Sequence, residues 1–180
     1  MNKVIAFLFL LLLQSSVFSQ VIQTDASKIS FKVSSSASIG KTEGTFAGPS
    51  GKVKFDINNL SASYFDVKVD ASTIETGISL RDNHLKSDDF FYVDKYPYIT
   101  FTSTSIAKRN SGYLTVGNLT IRNMEKQAHI PFSVSINKNE AVLTGTFTVQ
   151  RKEFDLGTGF GGLFIGNEVE VTVKTVLKYP

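Results

Sequence analysis

Hydrophobic and polar residues alternate along most of this chain. Ile29, Phe31 and Val33 are separated by Lys28, Ser30, Lys32 and Ser34, and Phe65, Val67, Val69 and Ala71 by Asp66, Lys68, Asp70 and Ser72. A period of two sends alternate side chains to opposite faces of an extended backbone, so each run predicts a strand with one apolar face. Further strands are expected at Thr42–Phe46, Val53–Ile57, Ile99–Ser103, Ile130–Ile136, Val142–Val149 and Glu168–Leu177. Leu114 and Val116 share one parity and Leu119 and Ile121 the other, so Gly117 between them is the expected site of a bulge. Gly48-Pro49-Ser50-Gly51 and Asn137-Lys138-Asn139 are strong turn signals.

The count comes to about eight strands joined by short turns. A continuous antiparallel meander of this kind can close into a barrel and remove its edges. The alternation stops between Thr73 and Tyr96, where Ile78, Leu80 and Leu85 sit among Arg81, Asp82, Asn83, His84 and Lys86. This stretch predicts one or two short helices crossing one side or mouth of the barrel, ended by Pro97. No βαβ rhythm, internal repeat or domain boundary is visible, so residues 20–180 are expected to form a single β-barrel domain.

The first nineteen residues have a different pattern. Lys3 precedes an unbroken apolar run from Val4 to Leu13, followed by Gln14, Ser15, Ser16 and a candidate processing site at Val17-Phe18-Ser19. This is the form of a secretory signal, and the run is well short of the ~20 residues of a membrane-spanning helix. Cleavage after Ser19 and a periplasmic or secreted mature chain are the expectation. Composition narrows the chemistry. With no Cys, disulfides, thiolate metal sites and Cys nucleophiles are excluded. Lys and Arg total 19 against 16 Asp and Glu, and this near balance gives no concentrated field for nucleic acid.

Catalytic patterns are scarce. With only 2 His, a Ser–His–acid triad has few candidate bases. His129, on an apparent strand, reads as structural or surface. Asp82 and His84 could supply two metal ligands, but no third has recognisable spacing, so no metal is expected. Asp66 with Asp70 and Asp88 with Asp89 are spaced as the wet face of a strand or turn rather than as a glycosidase pair. Gly157-x-Gly159-x-x-Gly162 fits a dinucleotide pattern, but strand residues follow it and no helix N-terminus is available for a phosphate; it reads as a loop. No catalytic residue is assigned and the chain is not expected to be an enzyme. The positive signal is aromatic: 15 Phe and no Trp, with most Phe at alternating strand positions or in the crossing segment. Such positions suit either an ordinary filled core or a tunnel that accepts an acyl or prenyl chain, and periodicity does not separate the two.

A longer pattern adds to this. Ser72-Thr73-Ile74-Glu75-Thr76-Gly77, Arg81-Asp82-Asn83-His84-Leu85-Lys86-Ser87, Asp89-Phe90-Phe91, Lys95-Tyr96-Pro97 and Ile99-Thr100-Phe101 closely resemble the YceI-like family. The order continues with Tyr113, Val116 to Ile121, Phe147, Arg151, Phe154 and Gly157. Two elements depart from the family: its opening Trp and Asp-Pro-x-His-Ser are absent at Val21–Ser27, and Arg122-Asn123 replaces a Gly turn. The resemblance implies an exported, lipocalin-like antiparallel barrel, eight-stranded here, that binds an amphipathic lipid such as a polyisoprenoid or isoprenoid quinone and needs no cofactor. Under that implication Phe31, Val33, Phe46, Phe55, Phe65, Val67, Phe101, Phe132 and Phe147 face the interior. Ile78, Leu80, Leu85, Phe90 and Phe91 belong to the mouth. Arg81, Asp82 and His84 form a polar cluster that either meets a headgroup or locks the crossing segment. A transient membrane contact and a monomer or homodimer are compatible with this role. The alternative is a non-enzymatic stress or assembly factor with a filled barrel that acts through its surface.

Overall fold

The structure is a computed structural model that describes residues 20–35, 40–159 and 164–179. The signal-like segment and residues 160–163 of the glycine loop lie outside the described residues. Ten strands form one antiparallel sheet: β1 (Val21–Ile22), β2 (Lys28–Ser35), β3 (Gly40–Ala47), β4 (Ser50–Lys54), β5 (Tyr64–Asp70), β6 (Tyr98–Lys108), β7 (Tyr113–Ile121), β8 (Met124–Asn137), β9 (Glu140–Gln150) and β10 (Ile165–Lys178). The architecture is the lipocalin-like antiparallel one expected from the alternation, with ten strands in place of eight. One helix, α1 (Ser79–Lys86), lies in the crossing segment.

The path through the sheet is β3-β2-β10-β9-β8-β7-β6-β5-β4, with β1 on the end of β10. Strands β4 to β10 follow one another as a meander, and β10 then pairs with β2. The Gly48-Pro49 turn therefore does not make a hairpin: it joins the two edge strands of the curled sheet. These edges share no ladder among the described residues. Each is covered by a different segment. On the β3 side, Thr45 N–H donates to Glu75 O at 2.8 Å and Glu75 N–H to Thr45 O at 3.0 Å. On the β4 side, Gln20 bridges Val53, and its side-chain amide brackets the Phe55 main chain, Nε2 donating to Phe55 O at 2.7 Å and Oε1 accepting from Phe55 N–H at 2.8 Å. Two exposed edges are thus satisfied without direct pairing.

Strand β7 corrects a sequence expectation. Its inward residues are Tyr113, Thr115, Gly117, Leu119 and Ile121, one parity throughout, while Leu114 and Val116 are only half-buried. The irregularity lies in the partner strand: the β6 register shifts between Ser103 and Ser105, opposite Gly117 and Val116. Gly117 is required for another reason. A Cβ there would stand 2.4 Å from Thr102 O and 2.7 Å from Phe101 Cζ, so the Phe101 ring lies across a position that can carry no side chain.

The interior packs as two clusters. The larger contains Phe55, Phe65, Phe101, Tyr113, Phe132, Leu143 and Leu156; the smaller contains Ile29, Phe46, Val69 and Ile74. At the C-terminal end, Tyr179 N–H donates to Asn139 O at 2.8 Å. Burial, and then the Asp56 carboxylate, push the Tyr179 phenol above its ordinary pKa of 10.0.

Two outcomes follow. Gly117→Val should lower stability by about 1–3 kcal/mol through overpacking, read as a lower urea midpoint at unchanged slope. The raised Tyr179 pKa means that the folded chain holds the phenolic proton more tightly than the unfolded chain. Its contribution to stability is therefore complete below 10.0 and is lost as pH rises through the raised value. Thermal unfolding at stepped alkaline pH should show a loss that is smaller in Tyr179→Phe.

Candidate functional site: an apolar cavity with an exposed lip

The curled sheet is hollow. A cavity of about 890 Å³ occupies its interior. That volume lies in the upper range of small-molecule sites. Inward strand faces build its wall: Phe31 and Val33 from β2, Phe46 from β3, Phe65 and Val67 from β5, Phe101 from β6, Phe132 from β8 and Phe147 from β9 all line it. The filled interior of the alternative reading is therefore not what these faces build.

Phe55 is the exception. It is 2% exposed yet does not line the cavity. The β4 ladder ends at Lys54, one residue earlier, and Phe55 turns into the barrel behind Phe65 and Phe132. Its ring centroid stands 6.4 Å from that of Phe65, 5.7 Å from Phe132 and 5.2 Å from Tyr113.

From the crossing segment, Ile78, Leu80, Leu85, Phe90 and Phe91 all line the cavity. They differ in exposure. Phe90 is buried, whereas Ile78 is 53% and Leu80 83% exposed. Phe164, just before β10, also lines the cavity and is 53% exposed. These three side chains touch the apolar interior and water at once, which makes them the lip of the opening.

The polar cluster divides. Arg81 and His84 line the cavity; Asp82 does not. One residue along a helix turns a side chain by about 100°, and the Asp82 carboxylate points back to the start of the segment. It accepts from Thr76 N–H at 2.9 Å and from the Thr76 hydroxyl. Arg81 closes the same network: Nε donates to Thr76 Oγ1 and Nη2 to Thr76 O, each at 2.7 Å. These bonds fix the entry to α1. His84 Nε2 meets Asp89 Oδ2 at 2.9 Å, and its ring stands edge-on to Phe90 at 5.1 Å. This second clamp joins α1 to the turn that carries Phe90 and Phe91. His129 sits on the outer part of β8 beside Gln127, at 3.2 Å.

Sequence reasoning assigned no role to Arg151, which lies against the cavity and is 3% exposed. Its Nε donates to Gly166 O at 2.8 Å, Nη1 to Leu156 O at 2.5 Å and Gly157 O at 2.7 Å, and Nη2 to Ile165 O at 2.7 Å. Burial lowers the guanidinium pKa from its ordinary value. The side chain holds both ends of the loop before β10. That loop in turn meets the crossing segment: Gly157 N–H donates to Asp89 O at 2.8 Å, and a Cβ on Gly157, whose φ is +61°, would stand 2.4 Å from the Phe90 ring. An isolated Arg after a strand carries no periodic signal, so only the fold reveals this role. Thr115 and Thr175 were passed over in the same way; both are buried and line the cavity, as scattered polar points on an otherwise apolar wall.

Among the described residues there is no group of three His, Asp or Glu side chains arranged to hold a metal. No helix is long and apolar enough to cross a membrane, again among the described residues. The fold and its hollow interior define a lipocalin-like barrel with an apolar pocket. The sequence profile of the YceI-like domain matches residues 20–177, and the chain belongs to that family. A protein of Yersinia enterocolitica named UPF0312 protein YE1254 is 31% identical over 124 residues, which span 66% of this chain and 65% of that protein's length. The match thus covers just under two thirds of the curated relative. Among solved structures, Burkholderia cenocepacia BcnA superposes with a TM-score of 0.80 at 25% identity, over 86% of this chain and 98% of that one. A domain from Saccharophagus degradans described as polyisoprenoid binding shares the fold, with a TM-score of 0.70 at 15% identity over 91% of this chain and 99% of its own.

Replacing Arg151 by Met should leave several buried carbonyls without a donor and cost on the order of 3 kcal/mol. Chemical denaturation of the two proteins measures this, and the loop before β10 should become the first site of proteolytic nicking in the variant.

Proposed function

We propose that this protein is a non-catalytic binding protein, exported to the periplasm or beyond, that carries a long apolar lipid of the isoprenoid or isoprenoid-quinone class inside its barrel. The observation that carries this reading is the apolar cavity of about 890 Å³. Water finds few polar partners on these walls. An apolar chain does better, at about 0.8 kcal/mol for each CH₂ taken out of water. Export is supported by Lys3, the Val4–Leu13 apolar run and the small residues after it. The polyisoprenoid-binding neighbour from Saccharophagus degradans has the same fold and supports the choice of cargo class.

The parts then have distinct tasks. The Phe-rich walls dissolve the chain. Ile78, Leu80 and Phe164 offer an apolar path for cargo that passes between a membrane surface and the interior. The Asp82–Thr76–Arg81 network and the His84–Asp89 pair hold the crossing segment over the barrel, so that the cavity keeps its shape while cargo is absent. Arg81 and His84, on the cavity wall, are the polar groups nearest to any headgroup left at the lip.

The deciding experiment is mass spectrometry of the organic extract from protein made in its native host and purified without detergent. A prenyl lipid or quinone at stoichiometric level is expected; an empty extract together with failure to take up added prenyl lipid would sink the proposal. Phe101→Asp should fold with reduced stability and lose lipid uptake, because a carboxylate on the wall is desolvated by any apolar cargo. Leu80→Asp, on the exposed lip, should retain near-normal affinity at equilibrium but slow transfer from vesicles, as followed with a fluorescent prenyl probe.

A further inference from the structure

Among the described residues the cavity has an exposed lip at Ile78, Leu80 and Phe164, and its opposite end is closed by rings. Position along β10 separates the two. Ile165, next to the lip residue Phe164, pairs with Ser35. Val173 lies at the level of Gly145, which pairs with Phe132, which pairs with Tyr113. From Ile165 to Val173 is roughly 25 Å of strand at ~3.3 Å per residue. Beyond this level the chain closes: Val21 pairs with Lys178, and Gln20 holds the Phe55 main chain through two hydrogen bonds.

At that closed end four rings form one block. Phe65 and Phe132 face the cavity, while Phe55 and Tyr113 stand behind them and do not line it. Phe65 and Phe132 lie 5.6 Å apart, edge to face, and Tyr113 stacks on Phe132 at 5.4 Å. With the contacts of Phe55 already described, every ring touches at least two others. Phe55 is 2% and Tyr113 7% exposed, so the block does not open to water behind. Rings packed in this way resist insertion of a chain, because yielding would break several aromatic contacts together. On the side walls the rings pack in a shorter run, Phe31 on Phe46 at 5.7 Å and Phe46 on Phe91 at 5.5 Å, among Val, Ile and Leu.

We infer that Phe55, Phe65, Tyr113 and Phe132 form a chain-length stop, which fixes how long an apolar chain the barrel takes in full. The inference rests on the lipid-carrier reading and adds a selection rule to it: chains up to the depth of the stop are held completely, and the excess of longer ones projects past the lip into water. Each buried CH₂ contributes about 0.8 kcal/mol, so affinity climbs with chain length until the stop is reached and then levels off. The rings that face the cavity set the depth, and those behind hold them in place.

The test uses the full-length mature protein, purified without detergent, and an equimolar ladder of all-trans prenyl alcohols of increasing length. Native mass spectrometry reads which members are retained. The wild type should show affinity rising with length to a plateau. Phe132→Ala opens a space comparable to an isoprene unit and should move the plateau to longer chains by about one unit. Phe65→Leu, a milder change, should move it in the same direction by less, and it covers the case in which Phe132→Ala does not fold. Phe132→Trp should move the plateau to shorter chains. Val169→Ala widens the cavity between the lip and the block and should change affinities without moving the plateau. Plateaus at the same length in wild type and in folded Phe65 and Phe132 variants would overturn the stop while leaving the carrier reading intact. Retention of no member of the ladder by the wild type would overturn both.

Discussion

The rest of the structure depends on how this sheet closes. It curls until its two edge strands, β3 and β4, come to face each other across a seam, yet they do not pair. Each edge is satisfied by a segment borrowed from elsewhere: Glu75, after β5, bonds Thr45, and Gln20, before β1, bonds the chain at Val53 and Phe55. Glu75 covers the β3 edge and Gln20 the β4 edge, so neither edge strand ladders with the other among the described residues. The segment that bridges at Glu75 is also the one that leads into α1 and over the opening. Closure of the sheet and construction of the mouth are therefore one event in the chain.

The two ends of the cavity are built on opposite principles. The closed end relies on ring packing, with the Gln20 amide bonded to the Phe55 main chain behind the rings. The open end relies on directed polar bonds. Thr76 is gripped by Asp82 and Arg81, His84 meets Asp89, and Asp89 O accepts from Gly157, whose own carbonyl accepts from Arg151. This relay ties the crossing segment to the end of β9 and the start of β10. Hydrogen bonds suit the role because they fix the position of a short helix that buries little surface of its own; none of the eight residues in α1 is buried. A helix this short and polar would not persist alone in water.

Much of this was legible in the alternation of residues. The inward residues Phe31, Phe65, Val67, Phe101, Phe132 and Phe147 followed from the period of two together with the family resemblance, because a strand has only two faces and mostly polar neighbours occupy the other. The short helix followed from the break in that period. Failures came where a local rule met a longer-range constraint. Phe55 kept the parity of β4 but lies past its last ladder residue, so parity no longer fixed its direction. The switch of parity between Leu114, Val116 and Leu119, Ile121 suggested a bulge at Gly117, whereas one parity faces inward throughout β7, the register shift lies in β6, and the glycine makes room for Phe101. Of the polar cluster, Asp82 and Arg81 meet at Thr76 and lock the start of the crossing segment, while only Arg81 and His84 reach the cavity wall, a division that helical rotation makes and proximity in sequence does not show.

The sequence by itself determined the strands, the short crossing helix and the apolar character of the inward face, since these are set by residue type and spacing within a few positions. It also carried the family's pattern of fixed residues from Ile74 to Phe101. Only the tertiary structure decided that the inward faces surround a space rather than fill one. That outcome depends on how many strands encircle the axis and how the seam is bridged, and neither quantity is encoded in any single strand. The same holds for Arg151, whose bonds run to carbonyls up to fifteen residues away, and for the four-ring block, which assembles from β5, β7, β8 and the residue after β4. Contacts between distant segments leave no periodic trace, so they become visible only once the chain has closed.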